Sequence, residues 1–315
     1  MSVHVPSDGT SVELLHDITF SLTSGEVLVL VGESGSGKTT LARALTRLFP
    51  KGLGASIRGR IEYDGSDLLK IEPRSLRQLR RKQIRYIFQE PGIALNPAFR
   101  LTSQTRFLIA QARNGPGNAG TVREHSFHQS LRAMGITDPA EVLNSYPHQL
   151  SVGTLQRILI AAAIAPHPRF LVADEPTSAV DAVLRYQILD LLVSICRNET
   201  MTLLLITHDL EIARRYGDRI AVIYAGRILE ISTKDEYFQN PLHPYSQTLL
   251  STLPTPTSSL DSMPSSSGSA PSFTELPSGC KFHPRCYKIQ ADCRKLEPEL
   301  ISTDNHRKVR CPYWK

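Results

Sequence analysis

Eight consecutive residues, Gly32-Glu33-Ser34-Gly35-Ser36-Gly37-Lys38-Thr39, fit the spacing G-x-x-x-x-G-K-[ST] of a phosphate-binding loop. Glycines let the backbone close around phosphate oxygens. Amides at the start of a following helix stabilise the negative charge. In such a loop Lys38 reaches the β- and γ-phosphates, Thr39 ligates Mg²⁺, and Thr40 lies beside it on the first helical turn. Other polar residues fall at the ends of apolar runs. Asp174 and Glu175 end "FLVA", a placement suited to holding Mg²⁺ through water and polarising an attacking water. Acids often end strands, so this pair gains meaning from the loop. His208 follows "LLLIT", where a lone histidine is usually structural but here could reach a γ-phosphate. Gln89 closes "YIF", where its amide could orient water or Mg²⁺.

Positioning these groups takes a particular set of elements. "GEVLVLVGESGSGKTTLARAL" reads as a buried strand, a glycine turn and a helix carrying Leu41, Ala44 and Leu45. "RYIFQ", "RFLVADEP" and "MTLLLITHD" read as further strands. "DRIAVIYAGRILEIS" reads as two strands turning at Ala225–Gly226. Apolar strands alternating with helices predict an α/β fold with a mainly parallel sheet. The spacing predicts an ATP-binding core at 1–89 and 161–232 and a helical insertion at 90–160. An extension at 233–254 follows, then a Pro/Ser-rich flexible linker at 255–279 and a Cys-rich region at 280–315.

The 315 residues are 41% hydrophobic and 21% charged, enough for a real core. No uncharged apolar run is long enough to span a bilayer, and the N-terminus does not read as a secretory signal. A cytoplasmic location is expected. Most of the +6 net charge falls in 280–315, with nine Lys/Arg against four Asp/Glu. The basic run Arg74–Arg85 reads as a solvated helix face rather than a nucleic-acid surface. Cys196 reads as a small core residue. Cys280, Cys286, Cys293 and Cys311 crowd the tail. Disulfides are disfavoured in the cytoplasm, and four thiolates suit a metal, either zinc or an iron–sulfur cluster.

Together these residues resemble the ATP-binding-cassette transport ATPases. The order matches: phosphate loop, Gln89, a signature segment "LSVGT" at 150–154, Asp174–Glu175, "SAVD" at 178–181, then His208. "IFQEPGIALNPAFRLTSQ", "YAGRILEISTKDEYFQNPLHPYSQTLLSTLP" and "GCKFHPRCYKIQADCRKLEPEL" resemble the oligopeptide, dipeptide and nickel importer ATPases. The resemblance implies an ATP-hydrolysing subunit at the cytoplasmic face of the membrane that powers uptake of peptides or nickel complexes. Two ATPase chains would face each other head to tail. ATP would be sandwiched between one chain's phosphate loop and the other's Ser151 and Gly153. Residues around Glu90–Arg100 would touch one of two separate permease chains, and an extracytoplasmic binding protein would deliver the solute. Related transporters suggest a [4Fe–4S] cluster at the four tail cysteines.

Three departures from the family pattern set expectations. The adenine-stacking aromatic should lie near Val5, where only His4 and Val5 are offered and the first strand reads as truncated. Val180 replaces a leucine, an apolar-for-apolar change. Val152 and Thr154 alter the signature. A positive φ at Val152 would store about 1–3 kcal/mol of strain. A weakened signature is therefore expected, with its cost falling on the partner's nucleotide. That asymmetry favours a related second chain over an identical one. A soluble cassette protein of DNA repair or translation is the alternative, but the chain has neither a long coiled-coil insertion nor a second cassette. A non-hydrolysing regulatory subunit is disfavoured by Lys38, Asp174, Glu175 and His208.

Overall fold

The computed structural model describes residues 1–7, 9–110, 127–178, 180–253, 268–303 and 306–315. Two compact units emerge. The first comprises Met1–Ser21, Leu28–Leu69 and Thr207–Lys315; the second comprises Leu22–Val27 and Lys70–Ile206.

In the first unit, β1 (Ser2–Ser7) pairs antiparallel with β2 (Thr10–Leu15) and with β4 (Ser56–Arg58). Val3 and Val5 alternate inward with the period of two that a half-buried strand requires. The first strand is thus a full six residues, not the truncated one expected from the sequence. Leu28–Val31 of β3 (Val27–Val31) are all buried and pair in parallel with β10 (Arg219–Tyr224). β10 turns into β11 (Arg227–Thr233) through Ala225 and Gly226, whose φ values of 44° and 74° give the left-handed pair of a tight hairpin. The strand order continues through β13 (Lys308–Val309) to β12 (Ile301–Ser302). A short hairpin, β5 (Glu62–Tyr63) with β6 (Ser66–Asp67), lies apart from that sheet.

β3 delivers the chain into the glycine loop and α1 (Lys38–Thr46). A Cβ at Gly32 would lie 2.2 Å from the Ile223 carbonyl oxygen on β10, so only glycine lets the two backbones approach. Replacing Gly32 with alanine should therefore lower stability by about 1–3 kcal/mol or prevent folding, read by thermal unfolding.

The tail belongs to this same unit. Glu230 on β11 is fully buried; it accepts from the Leu242 and His243 amides and pairs with Arg307 at 3.5 Å. Arg227 pairs with Glu297 at 2.6 Å, and Arg310 with Asp17 at 3.0 Å. Between β10 and the tail run α10 (Lys234–Gln239), opened by a Thr233–Glu236 capping box, and α11 (Pro244–Ser251). Of the expected linker 255–279, residues 255–267 lie outside the described residues. Residues 268–279 run as bends and turns; there the Ser278 hydroxyl donates to the Arg294 carbonyl at 2.7 Å, and the Phe273 ring lies against Gly226.

In the second unit β7 (Ile84–Ile87), β8 (Phe170–Asp174) and β9 (Thr202–Thr207) form parallel pairs in the order β9–β8–β7. Every residue of β8 and β9 is buried, as the continuous apolar runs predict. The strand read in "RYIFQ" ends at Ile87, and Phe88 beyond it is exposed. The basic run forms α2 (Pro73–Lys82), which buries Leu76 and turns Arg74, Arg77 and Arg81 to solvent. Helices supply much of 90–160: α3 (Pro91–Ala94), α4 (Leu101–Ala110), α5 over 127–133, α6 (Pro139–Asn144) and α7 (Val152–Ile164). Residues 111–126 lie outside the described residues. α8 (Ala182–Asn198) follows β8 and buries Cys196, whose thiol is pushed up to about 12 by burial. That cysteine is a core residue, as expected.

Candidate functional site

The first unit carries the phosphate loop. Lys38 is buried and donates from Nζ to the Gly32 and Glu33 carbonyls, both at 2.9 Å. Those two bonds bend the loop into a ring around its own ammonium. Gly37 sits at φ 105°, a conformation costly for any residue with a side chain, and caps α1 without a side-chain hydrogen bond. The N-terminus of α1 thereby presents backbone amides and the positive end of the helix dipole, which suit an anion. Ser36 is 2% exposed, and its hydroxyl has no hydrogen-bond partner in the structure. A buried hydroxyl left in this way fits a ligand oxygen. Thr39 and Thr40 are half-buried on the first turn of α1.

Glu33, an unspecified position of the loop motif, is held at both its side chain and its backbone. Its carboxylate receives two parallel bonds from the Arg285 guanidinium, Nη1 to Oε2 and Nη2 to Oε1, each 2.9 Å. Its amide donates to the Tyr245 hydroxyl at 3.1 Å. Burial, and then the charge of Glu33, hold that hydroxyl well above the usual tyrosine range, so it stays neutral and able to accept. His208 is exposed just beyond β9, before α9 (Leu210–Tyr216), whose N-terminus Asp209 caps by accepting from Glu211 at 2.9 Å.

The second unit carries the strand-end acids. Asp174 is 2% exposed and accepts from the Tyr86 hydroxyl at 2.7 Å. Gln89 donates from Nε2 to Glu175 Oε2 at 3.2 Å, so two of the sequence-predicted residues do meet. Glu175 adopts φ 44°, and its amide is fixed to the Ile206 carbonyl at 3.0 Å. A left-handed glutamate costs free energy that the parallel strands on either side must offset. The signature opens α7. Ser151 is its N-cap, accepting from the Thr154 amide at 3.1 Å, and the two hydroxyls lie 2.8 Å apart. Gly153 is buried, and a Cβ there would meet Leu184 at 2.7 Å and Val180 at 3.3 Å. Val152 is helical and 46% exposed, without a positive φ. The strain considered at Val152 does not arise, because the residue is the first of the helix rather than a turn residue.

Comparisons with known proteins extend this picture. The family model described as "ABC transporter" matches residues 15–178. The chain belongs to the ABC transporter ATPases. A second model, "Oligopeptide/dipeptide transporter, C-terminal region", matches residues 229–293 of this ABC ATPase. The "Dipeptide transport ATP-binding protein DppD" of Haemophilus influenzae is 37% identical over 311 residues, covering 99% of the chain and 93% of that protein. The "Oligopeptide transport ATP-binding protein AppD" of Bacillus subtilis is 34% identical over 294 residues, covering 93% and 89%. Among solved structures, the dimeric post-hydrolysis state of the ATP-binding cassette MJ0796 bound to ADP and Pi aligns with a TM-score of 0.64 at 25% identity. It covers 74% of the chain and 96% of that cassette.

Two features of the ABC ATPase escaped sequence reasoning. Arg285 and Tyr245 lie 252 and 212 residues from Glu33, and no local pattern marks them. Tyr86 was read only as part of a strand, although it holds Asp174. Near Val5, where an adenine-stacking aromatic is expected from the resemblance, β1 presents the aliphatic Val5 and a half-buried His4 that approaches Glu13 at 3.5 Å.

The four tail cysteines do come together. Cys280, Cys286, Cys293 and Cys311 line one small cavity of about 20 Å³, beside Phe282 and His243. Burial raises the Cys280 thiol to about 11 and lifts Cys286 and Cys311, and neighbouring thiols push in the same direction. Burial lowers His243 to about 3, keeping it neutral. Among the described residues, no three or more His, Cys, Asp or Glu close into a group that could hold one metal ion.

Proposed function

We propose that the chain is the ATP-hydrolysing subunit of an importer for short peptides, peripheral to the cytoplasmic face of the membrane. The carrying observation is likeness to dipeptide and oligopeptide transport ATP-binding proteins along nearly the whole chain, including the extension at 229–293. No helix among the described residues is long and apolar enough to cross a membrane, which fits a peripheral subunit served by two separate permease chains. An extracytoplasmic binding protein would deliver peptide. A second cassette, related rather than identical, would face this one. Nucleic acid has no place in this reading. Nickel complexes stay outside it, because the relatives' names state peptides.

The roles follow from the groups present. Residues 32–37, Lys38 and Thr40 bind the triphosphate, with the Ser36 hydroxyl completing its bonds there. Thr39, Gln89 and Asp174 would hold Mg²⁺, which when bound neutralises charge between the β- and γ-phosphates. Glu175 orients and deprotonates the attacking water, and Gln89 keeps that carboxylate aimed. His208 touches the γ-phosphate. Ser151 and the Gly153 amide serve the partner's nucleotide from the N-terminus of α7. The helical region around Glu90–Arg100 meets a permease. The experiment is ATP turnover by the assembled transporter with and without peptide-loaded binding protein: stimulation supports the reading, and peptide-independent turnover opposes it.

The signature of this chain is weakened through Thr154, whose hydroxyl engages Ser151 Oγ and competes with a phosphate for it. The double change Val152→Gly/Thr154→Gln should raise turnover of the assembled complex by about fivefold, the worth of roughly one hydrogen bond. An unchanged rate contradicts a weakened signature.

The cysteine cavity would hold a metal group. A single zinc would draw its sulfurs to about 2.3 Å, and the four thiols share the lining of one cavity. The form proposed for that group is a [4Fe–4S] cluster, which four cysteine thiolates would hold. Anaerobically purified protein should be brown and contain iron and acid-labile sulfide. Colourless protein containing zinc reverses the assignment.

A further inference from the structure

We propose that Arg285 is a positioning residue for ATP binding, through which the C-terminal cysteine module holds the phosphate loop in its nucleotide-receiving shape. This inference rests on the phosphate loop being the ATP site, as proposed above.

The observation is a two-point grip on a single loop residue. Arg285 takes the Glu33 carboxylate with both terminal nitrogens, and Tyr245 takes the Glu33 amide. A bidentate fork fixes the carboxylate in plane and direction, which a single bond cannot do. The amide bond fixes the backbone of the same residue. Two positions on, Gly35 has φ 76° and open space around it, and within the arc the Ser36 amide donates to the Glu33 carbonyl at 3.2 Å. Lys38, the other tether, bonds to the Gly32 and Glu33 carbonyls and would be drawn toward a bound phosphate. When it leaves, the grip on Glu33 from outside the loop remains beside the backbone bonds at Ser36.

The grip is built from the module. Arg285 immediately precedes Cys286, and Phe282 lies between Cys280 and Cys286. Phe282 is fully buried, with its ring centroid 5.4 Å from Tyr224 and 5.2 Å from Tyr245. The Arg285 guanidinium lies over the same Tyr224 ring at 5.7 Å. One face of this aromatic cluster thus backs the cysteine cavity, and the other carries the two groups that hold Glu33. A change that unseats the 280–286 turn must move Arg285. The two partners are 252 residues apart, so the link exists only when the tail is folded onto the loop.

The test uses the assembled transporter and reads ATP KM and kcat, the Kd of a fluorescent ATP analogue and the thermal midpoint. Arg285→Met keeps the aliphatic stem and removes the fork; it should raise the ATP KM about five- to tenfold while kcat stays within about twofold. Glu33→Gln should raise KM similarly, and the double variant should be no worse than the worse single one. Arg285→Lys, charged but unforked, should recover less than half of the loss. Cys286→Ser should raise the analogue's Kd in the wild-type background and add nothing on Arg285→Met. An unchanged KM in Arg285→Met at a retained thermal midpoint overturns the proposal, as do additive losses in either double variant. Turnover surviving Lys38→Ala would instead overturn the assignment of the ATP site itself.

Discussion

Lys38→Ala will lower ATP turnover of the assembled transporter by about 10²–10³-fold or more, with nucleotide affinity falling alongside it. Lys38 is 6% exposed and already sits among the carbonyls of its own loop. In the proposed role its ammonium is already placed to meet phosphate charge, and among the described residues no other lysine of the first unit is buried. Removing it also takes the Lys38 donor from the Gly32 and Glu33 carbonyls, the latter keeping the Ser36 amide at 3.2 Å, so the loop loses part of its shape as well as charge. Both KM and kcat should suffer, because the same contact serves the ground state and the transition state. Steady-state turnover with a nucleotide-binding titration separates the two. A variant that binds ATP normally and turns over within tenfold of wild type would contradict this role.

Glu175→Gln should behave differently. It keeps the shape and the hydrogen bond with Gln89 but removes the base, so kcat should drop about 10²–10⁴-fold while ATP still binds. The left-handed backbone at Glu175 and its amide bond to Ile206 persist in the variant, because neither involves the side chain. Retained affinity with lost turnover is the signature of a group that acts in the chemical step. A matched loss of binding would mean that Glu175 mainly holds the fold of the β8 terminus. Single-turnover hydrolysis beside equilibrium ATP binding decides between them.

What could be read from the sequence divides along physical lines. The phosphate loop was legible because its function needs glycines at fixed separations within one turn. The buried strands were legible because a strand covered on both faces must be apolar throughout, as β8 and β9 are. The Ala225–Gly226 turn followed from the requirement for positive φ. The N-terminal strand was harder, because Pro6 and His4 interrupt its pattern, and its burial depends on β2 and β4 pairing with it. The shape of the signature was ambiguous because Val152 could have stood in a turn or in a helix. The Ser151 cap decides for the helix and leaves the valine pointing outward. The cysteines could be grouped by composition, but their shared cavity depends on how residues 280–315 fold back on β11. The Arg285–Glu33 pair could not have been found at all, since Glu33 is an unspecified letter of the motif and its partner lies near the other end of the chain.

The chain continues beyond its cassette core through residues 233–315. Its additional material is packed, not appended. Arg227, Glu230 and Asp17 of the core each pair with a residue of the tail. Of these, only Glu230–Arg307 is buried on both sides, and breaking one side of such a pair should cost more than the pair is worth. The tail is therefore expected to report on the nucleotide loop rather than to move independently of it.

The most direct test is peptide uptake by proteoliposomes holding the complete transporter, with ATP inside the compartment that this subunit faces. Wild-type complex should accumulate a labelled di- or oligopeptide only with ATP and the peptide-loaded binding protein, and Glu175→Gln complex should accumulate none. Uptake that persists in the Glu175→Gln complex, or ATP turnover indifferent to peptide, would contradict an ATPase subunit that powers peptide import.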